Sequence, residues 1–388
     1  MKFSSKMDKL GSAIFAELKA RKDALTARGI SPIDLSVGSP DRPPAPHILQ
    51  ALKEEVADPG NYIYAISDLP ELLEAVKGWY KVRFGVELDP AAEITSLIGS
   101  QDGLAHISLT IVDPGDVVLV PDPGYPIFSA GPAIAGAELV KMPMLEENGF
   151  LIDFDSIDPA DAKRAKFMIV SYPNNPVTAL ATDEFYRDLI DFAKKYDIVV
   201  LHDNAYCELV FDGYRVGSFL SYPGAMDVGV EFNSLSKTYN MAGCRIGFAI
   251  GNREVIKNLK IMKSNIDYGI FLPIQKAGIA ALTGPQDTVR ETALAYQNRR
   301  DVLINGLNEI GWPIEKPRAT MFVWAKIPEK FDSSMNFVLQ LIENTGVLVT
   351  PGISFGDRGE GFVRMALVQN EDLMREAIDR IDASGILR

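Results

Sequence analysis

Three short, uninterrupted apolar runs constrain this chain more than any other feature. They are Val-Val-Leu-Val at 117–120, Phe-Met-Ile-Val at 167–170 and Ile-Val-Val-Leu at 198–201. A strand that is apolar at every residue must be covered on both faces, which is the pattern of a parallel sheet flanked by helices. The intervening segments fit. Phe185, Leu189, Phe192 and Tyr196 are spaced along a helix over 183–196, and Thr182 is placed to cap it. Further strands are predicted at 94–98, near 230–234 and at 245–250, and a helix at 101–112. The series predicts an α/β fold with a mostly parallel sheet covered by helices.

The flanks read differently. Residues 8–28 predict an amphipathic helix that stops at Gly29. A short strand and turn follow at 33–38, and four prolines between Ser39 and Pro46 predict an extended linker. Helices are expected at 46–57 and 70–84. After 250 come a long helix at 286–310, a strand at 321–327, a helix at 333–345, a strand at 361–368 and a final helix. With 388 residues the chain is too long for one ordinary core. The expected division is a large domain at 47–285 and a smaller α+β domain made of 1–46 and 286–388.

Composition removes several function classes. The net charge is -13 and no Lys/Arg block stands out, which argues against nucleic acid as a partner. No apolar run approaches the roughly 20 residues of a membrane span. The three histidines are scattered and the two cysteines, Cys207 and Cys244, lack metal-ligand spacing, so no metal is expected. Two lone thiols suit a reducing, cytoplasmic compartment.

The chemistry concentrates where strands end. Ser234-Leu235-Ser236-Lys237, followed by Gly243-Cys244-Arg245, closes a strand with two hydroxyls, a lysine and an arginine. Such a lysine, desolvated and near cations, can form a Schiff base with an aldehyde. The serines and the planar guanidinium can bind a phosphate. A lone lysine in a loop would ordinarily be solvated, so the cluster carries the inference. Asp203 follows the run at 198–201, where open α/β sheets bind ligands, and its carboxylate can hold a pyridine nitrogen protonated. Tyr206 is within reach of the same ring's oxygen.

Asn175, in Tyr172-Pro173-Asn174-Asn175-Pro176, offers an amide from a turn. Gly99-Ser100-Gln101-Asp102-Gly103 joins a strand to a helix and makes a phosphate seat. Tyr125 can stack on a flat ring. Arg364 lies within an apolar strand, where a charge needs a partner, and a substrate α-carboxylate would supply one.

Together these motifs resemble the class I/II aminotransferases of pyridoxal-phosphate (PLP) fold type I, and among them the LL-diaminopimelate aminotransferase group. The likeness extends to Phe84-Gly85-Val86-Glu87-Leu88-Asp89-Pro90, Pro114-Gly115-Asp116-Val117 and Glu147-Asn148-Gly149-Phe150. It implies pyridoxal 5'-phosphate as cofactor and amino transfer between an amino acid and a 2-oxo acid by a ping-pong mechanism. Lys237 would hold the cofactor and shuttle a proton. Asp203 would pair with the ring nitrogen, Asn175 and Tyr206 with the ring oxygen, and Tyr125 with the ring face. Ser100, Gln101, Ser234, Ser236 and Arg245 would bind phosphate. Arg364 would take the α-carboxylate, with a backbone contact from Gly38.

The resemblance also implies a homodimer in which a tyrosine crosses to the partner's phosphate, here Tyr64. Cys244 stands where the family usually has tryptophan, Val177-Thr178 where it has Thr-Gly, and Gln101 where the diaminopimelate group has lysine. These departures leave the chemistry in place and open the question of substrate. Two alternatives share the scaffold. One is a carbon–sulfur β-lyase, aminocyclopropane-carboxylate synthase or related elimination enzyme. The other is a non-catalytic PLP-binding regulator, which would need a basic DNA-binding module that this chain does not carry.

Overall fold

The computed structural model describes residues 1–10 and 13–388. Its centre is a seven-stranded sheet in the order Ile94–Leu97, Gly247–Gly251, Gly229–Ser234, Val199–Asp203, Ala165–Ser171, Val117–Asp122, Glu138–Pro143. All neighbouring pairs are parallel except the two made by Gly247–Gly251, which runs against both its neighbours. The three apolar runs are the buried middle of this sheet. On one face Leu119, Met168, Val170 and Val200 pack with Leu72, Val76 and Leu189. On the other, Val118, Phe167, Ile169 and Leu201 pack with Leu104, Ile107 and Phe128. This two-sided burial is why those strands need no polar alternation.

The Glu138–Pro143 strand escapes the sequence pattern because it is an edge. Only Met142 is fully buried, and the charged Glu138 and Lys141 are exposed. The helix over Asp183–Tyr196 has the expected bounds, and the Thr182 side chain accepts from the Phe185 amide. Helices Pro46–Ala57 and Pro70–Phe84 begin on prolines, where a missing N–H costs nothing.

A second core lies apart from the sheet. Leu18 and Leu25 from helix Ala13–Ala27 meet Leu303 and Leu307 from helix Asp287–Glu309, Phe337 and Leu341 from Ser334–Thr345, and Met374 and Ile381 from Glu371–Ser384. These helices cover an antiparallel sheet of Thr350–Pro351, Phe362–Ala366 and Phe322–Lys326. Ile33–Asp34 pairs in parallel with Val347–Leu348, which ties the N-terminal segment to this core. The single N-terminal helix expected over 8–28 is instead a 3-10 turn at Ser5–Lys9 and a helix at Ala13–Ala27; residues 11–12 lie outside the described residues. Among the described residues no helix is long and apolar enough to cross a membrane.

Candidate active site

The parallel strands finish on one edge of the sheet, and polar side chains collect there. Asp203 ends its strand, and Ser234 ends the next. Ser234 then caps the short helix Leu235–Thr238, its hydroxyl accepting from the Ser236 amide at 3.1 Å. That turn carries Lys237. Because Gly247–Gly251 runs the opposite way, Arg245, two residues before it, arrives at the same edge. Ser100 and Gln101 open helix Ser100–Ile111 beside it. Gly99 has φ +78°, and a Cβ there would collide with the Arg245 guanidinium. Glycine at 99 is what lets the arginine lie against the helix start.

These residues line one cavity of about 520 Å³. Of the residues singled out from the sequence, Gly38, Ser100, Gln101, Tyr125, Asn175, Asp203, Tyr206, Ser234, Ser236, Lys237, Arg245 and Arg364 all border it. Tyr64 does not. It is 81% exposed on another part of the surface, with its ring 5.8 Å from that of Tyr268.

The electrostatics follow from burial. Lys237 Nζ donates to the Gly38 carbonyl at 2.8 Å. Burial lowers this amine to about 8, reinforced by Arg364 and Arg245 and opposed by Asp203. Burial raises the Asp203 carboxyl to about 6, partly offset by His202. Asp203 Oδ1 is buried and has no hydrogen-bond partner. Tyr206 is pushed up, by burial first and then by Asp203. Its hydroxyl lies 3.5 Å from Asn175 Nδ2. The Gln101 side-chain oxygen accepts from the Tyr125 hydroxyl at 3.0 Å.

Arg364 reaches the cavity from the second core. Its two terminal nitrogens donate to Asn175 Oδ1 and to the Ser36 carbonyl, both at 2.9 Å, while Nε is buried without a partner. The guanidinium lies between two rings, 4.2 Å from the centre of Phe322 and 4.7 Å from that of Phe355. Burial lowers it to about 10, which leaves it cationic at neutral pH. Sequence reasoning missed Ser36, Phe322 and Phe355. Phe322 is legible only as a strand residue, and Phe355 sits in a glycine-flanked turn with no local signal.

Sequence reasoning also missed a polar network buried beneath the sheet. Glu231 accepts from the hydroxyls of Tyr80 at 2.8 Å and Ser218 at 2.9 Å, and from the Phe219 amide at 3.0 Å. His202 Nδ1 is 3.1 Å from the same carboxylate, and its Nε2 is 3.1 Å from the Tyr186 hydroxyl. A smaller cluster of Asp102, His106 and Asp267 lies beside the helix start. Lys263 Nζ sits 3.0 Å from both carboxylates, so an ammonium already balances them.

Residues 30–381 match the family "Aminotransferase class I and II". The LL-diaminopimelate aminotransferase of Moorella thermoacetica is 46% identical over 382 residues, covering 98% of each chain. That of Syntrophobacter fumaroxidans is 49% identical over 370 residues, covering 95% of each. Among solved structures, substrate-bound BacF of Bacillus subtilis superposes with a TM-score of 0.95 at 37% identity, covering 99% of this chain and 98% of that one. A probable N-succinyldiaminopimelate aminotransferase from Thermus thermophilus gives 0.91 at 36% identity, covering 96% and 100%. Such relatives favour amino transfer over carbon–sulfur elimination. By sequence and by fold, the chain belongs to the class I and II aminotransferases, pyridoxal-phosphate enzymes that move an amino group between an amino acid and a 2-oxo acid.

Proposed function

We propose that amino transfer runs through Lys237, Asp203 and Arg364 in the cavity at the sheet edge. The observation that carries this reading is a largely buried lysine and two orphaned buried atoms, Asp203 Oδ1 and Arg364 Nε, lining one cavity. Native proteins rarely leave such atoms unpaired, and a ligand that completes them is the simplest explanation. The residues fit pyridoxal phosphate. Asp203 would hold the ring nitrogen's proton, Tyr206 and Asn175 would meet the ring oxygen, and Tyr125 would cover a ring face. Ser100, Gln101, Ser234, Ser236 and Arg245 would seat the phosphate, with the amides at the start of helix Ser100–Ile111 adding N–H groups.

When bound, the cofactor supplies an aldehyde carbon and an electron-withdrawing ring that stabilises negative charge at the α-carbon. The protein does the rest. Arg364, held flat between Phe322 and Phe355, orients the α-carboxylate through its fork. Lys237 Nζ, whose pKa burial lowers to about 8, would take the α-proton and carry it toward the carbon that the cofactor's aldehyde supplies. Asp203, whose carboxyl burial pushes up to about 6, would be held anionic by a protonated ring nitrogen.

The same reading takes residues 47–285 as the cofactor domain and 1–46 with 286–388 as the smaller one. It makes the chain a cytoplasmic homodimer. In support, Tyr62, Ile63, Tyr64, Ile66, Tyr268 and Phe271 form an exposed apolar stretch, and both cysteines are unpaired. Tyr64 would reach the partner's cofactor phosphate.

Asp203→Asn tests the assignment. It should keep the cofactor bound while slowing the half-reaction with any amino acid by at least about a hundredfold. A wild-type rate would remove Asp203 from its role. Sedimentation of the purified protein should give a dimer, and Tyr64→Phe should weaken cofactor retention without dissociating it.

A further inference from the structure

Four charged side chains line the cavity: Asp203, Lys237, Arg245 and Arg364. The reading above engages each of them, with the cofactor or with the part common to every α-amino acid. Of the two amides on the wall, Asn175 accepts from Arg364, and Gln101, whose oxygen accepts from the Tyr125 hydroxyl, is assigned above to the phosphate. What remains free to meet a substrate's side chain is Val37, Pro126, Ile127, Ala130 and Phe355, with only the small Ser39 among them. Acids that flank this wall in sequence are paired elsewhere, Asp34 with Lys22 at 2.7 Å among them. Asp41 binds both terminal nitrogens of Arg299 at 2.7 Å, and Asp357 binds Lys141.

The surface that would complete the site from a partner subunit has the same character. Tyr62, Ile63, Tyr64 and Ile66 are exposed and uncharged. The first acid after them, Asp68, turns inward to the Thr95 hydroxyl and the Ser96 amide, at 3.1 and 3.0 Å.

Resting on the assignment of Lys237, Asp203 and Arg364 above, we infer that this site selects α-amino acids with uncharged aliphatic or aromatic side chains over those whose side chains end in a charge. An apolar wall accepts apolar surface at no polar cost, whereas a charged group brought against it loses its water and gains no partner. The relatives named for LL-diaminopimelate act on a side chain that ends in both an ammonium and a carboxylate, and this wall offers neither group a counter-charge.

The test is a panel of half-reactions with the pyridoxal-phosphate-loaded enzyme, following conversion of the cofactor to its amine form. The panel holds L-phenylalanine, L-leucine and L-methionine against L-glutamate, L-lysine and LL-diaminopimelate. Expected is a kcat/KM at least about tenfold higher for the three uncharged substrates. A charged substrate that matched or exceeded them would overturn the inference while leaving the site assignment standing. If no amino acid converted the cofactor, both the inference and the assignment would fail. Val37 is more than half exposed and can carry a longer side chain. Val37→Arg should swing the ratio of glutamate to leucine by at least about tenfold toward glutamate, and an unchanged ratio would remove this wall from side-chain recognition.

Discussion

His202 and Asp203 are neighbours on one strand, and their side chains leave it on opposite faces of the sheet. Both are buried, yet their surroundings differ. His202 belongs to a network in which it bridges Glu231 and Tyr186, and Glu231 also accepts from Tyr80 and Ser218, all at 2.8–3.1 Å. Asp203 keeps an oxygen with no partner, and Arg364 across the cavity keeps a nitrogen with none. A satisfied buried network holds a fold together, because every polar group has exchanged water for protein. Buried polar atoms left open are costly in the free protein and are tolerated where a ligand completes them. Burial alone therefore does not mark an active site; incomplete pairing within a cavity does.

The contrast makes opposite demands on substitutions. Removing Lys237 should have the largest effect on activity and almost none on folding. Lys237→Ala should lower turnover by at least about 10²–10⁴-fold, the usual contribution of a positioned acid–base group, with a melting temperature at or above that of the parent. Glu231→Ala should do the reverse. It strands the Tyr80 and Ser218 hydroxyls, the Phe219 amide and His202 in the core. The expected loss is about 3–5 kcal/mol of stability in denaturant titration. Protein that survives should bind the cofactor normally. If Glu231→Ala left stability intact, the network would not be the structural half of the pair.

Arg364 comes next. Truncating one partner of a buried charge pair costs about 2–5 kcal/mol, so Arg364→Ala should reduce kcat/KM by that much for every amino acid, with cofactor affinity nearly unchanged. Arg364→Lys keeps the charge and loses the fork between Phe322 and Phe355, and should recover only part of the loss. A defect confined to acidic substrates would mean that Arg364 reads a side chain.

The pH profile of cofactor capture sharpens the comparison. Lys237 attacks an aldehyde only as the neutral amine, and burial holds its pKa near 8. Capture of pyridoxal phosphate by the free protein should therefore rise about tenfold per pH unit below about 8 and level off above it. A rise that continued to pH 10 would show a lysine with an ordinary solvated pKa. The smallest effect is expected at Tyr125. Tyr125→Phe removes one hydrogen bond to Gln101, worth about 0.5–1.5 kcal/mol, and should loosen the cofactor slightly, as read by its dissociation constant.

The two halves of this contrast were not equally legible in the sequence. Lys237, Asp203 and Arg245 could be read because strand ends, hydroxyls and basic groups cluster locally along the chain. The Glu231–His202 network could not. Its members come from two strands, two helices and a loop, and each looks alone like an ordinary polar residue. The contact between Lys237 and the Gly38 carbonyl likewise joins residues 199 positions apart. Among the strands, the apolar runs at 117, 167 and 198 stood out because both their faces are covered. The edge strand Glu138–Pro143 was missed because its exposed face breaks the pattern. The reversal of Gly247–Gly251 carries no periodicity signal at all, yet it is what delivers Arg245 to the site.

The central claim is that Lys237 is the residue that takes hold of the cofactor. Borohydride reduction of the loaded protein, followed by digestion and mass mapping, tests it directly. The expected result is a single phosphopyridoxyl group on the peptide that carries Ser234-Leu235-Ser236-Lys237. Label on any other lysine, or stoichiometric label in Lys237→Ala, would contradict it.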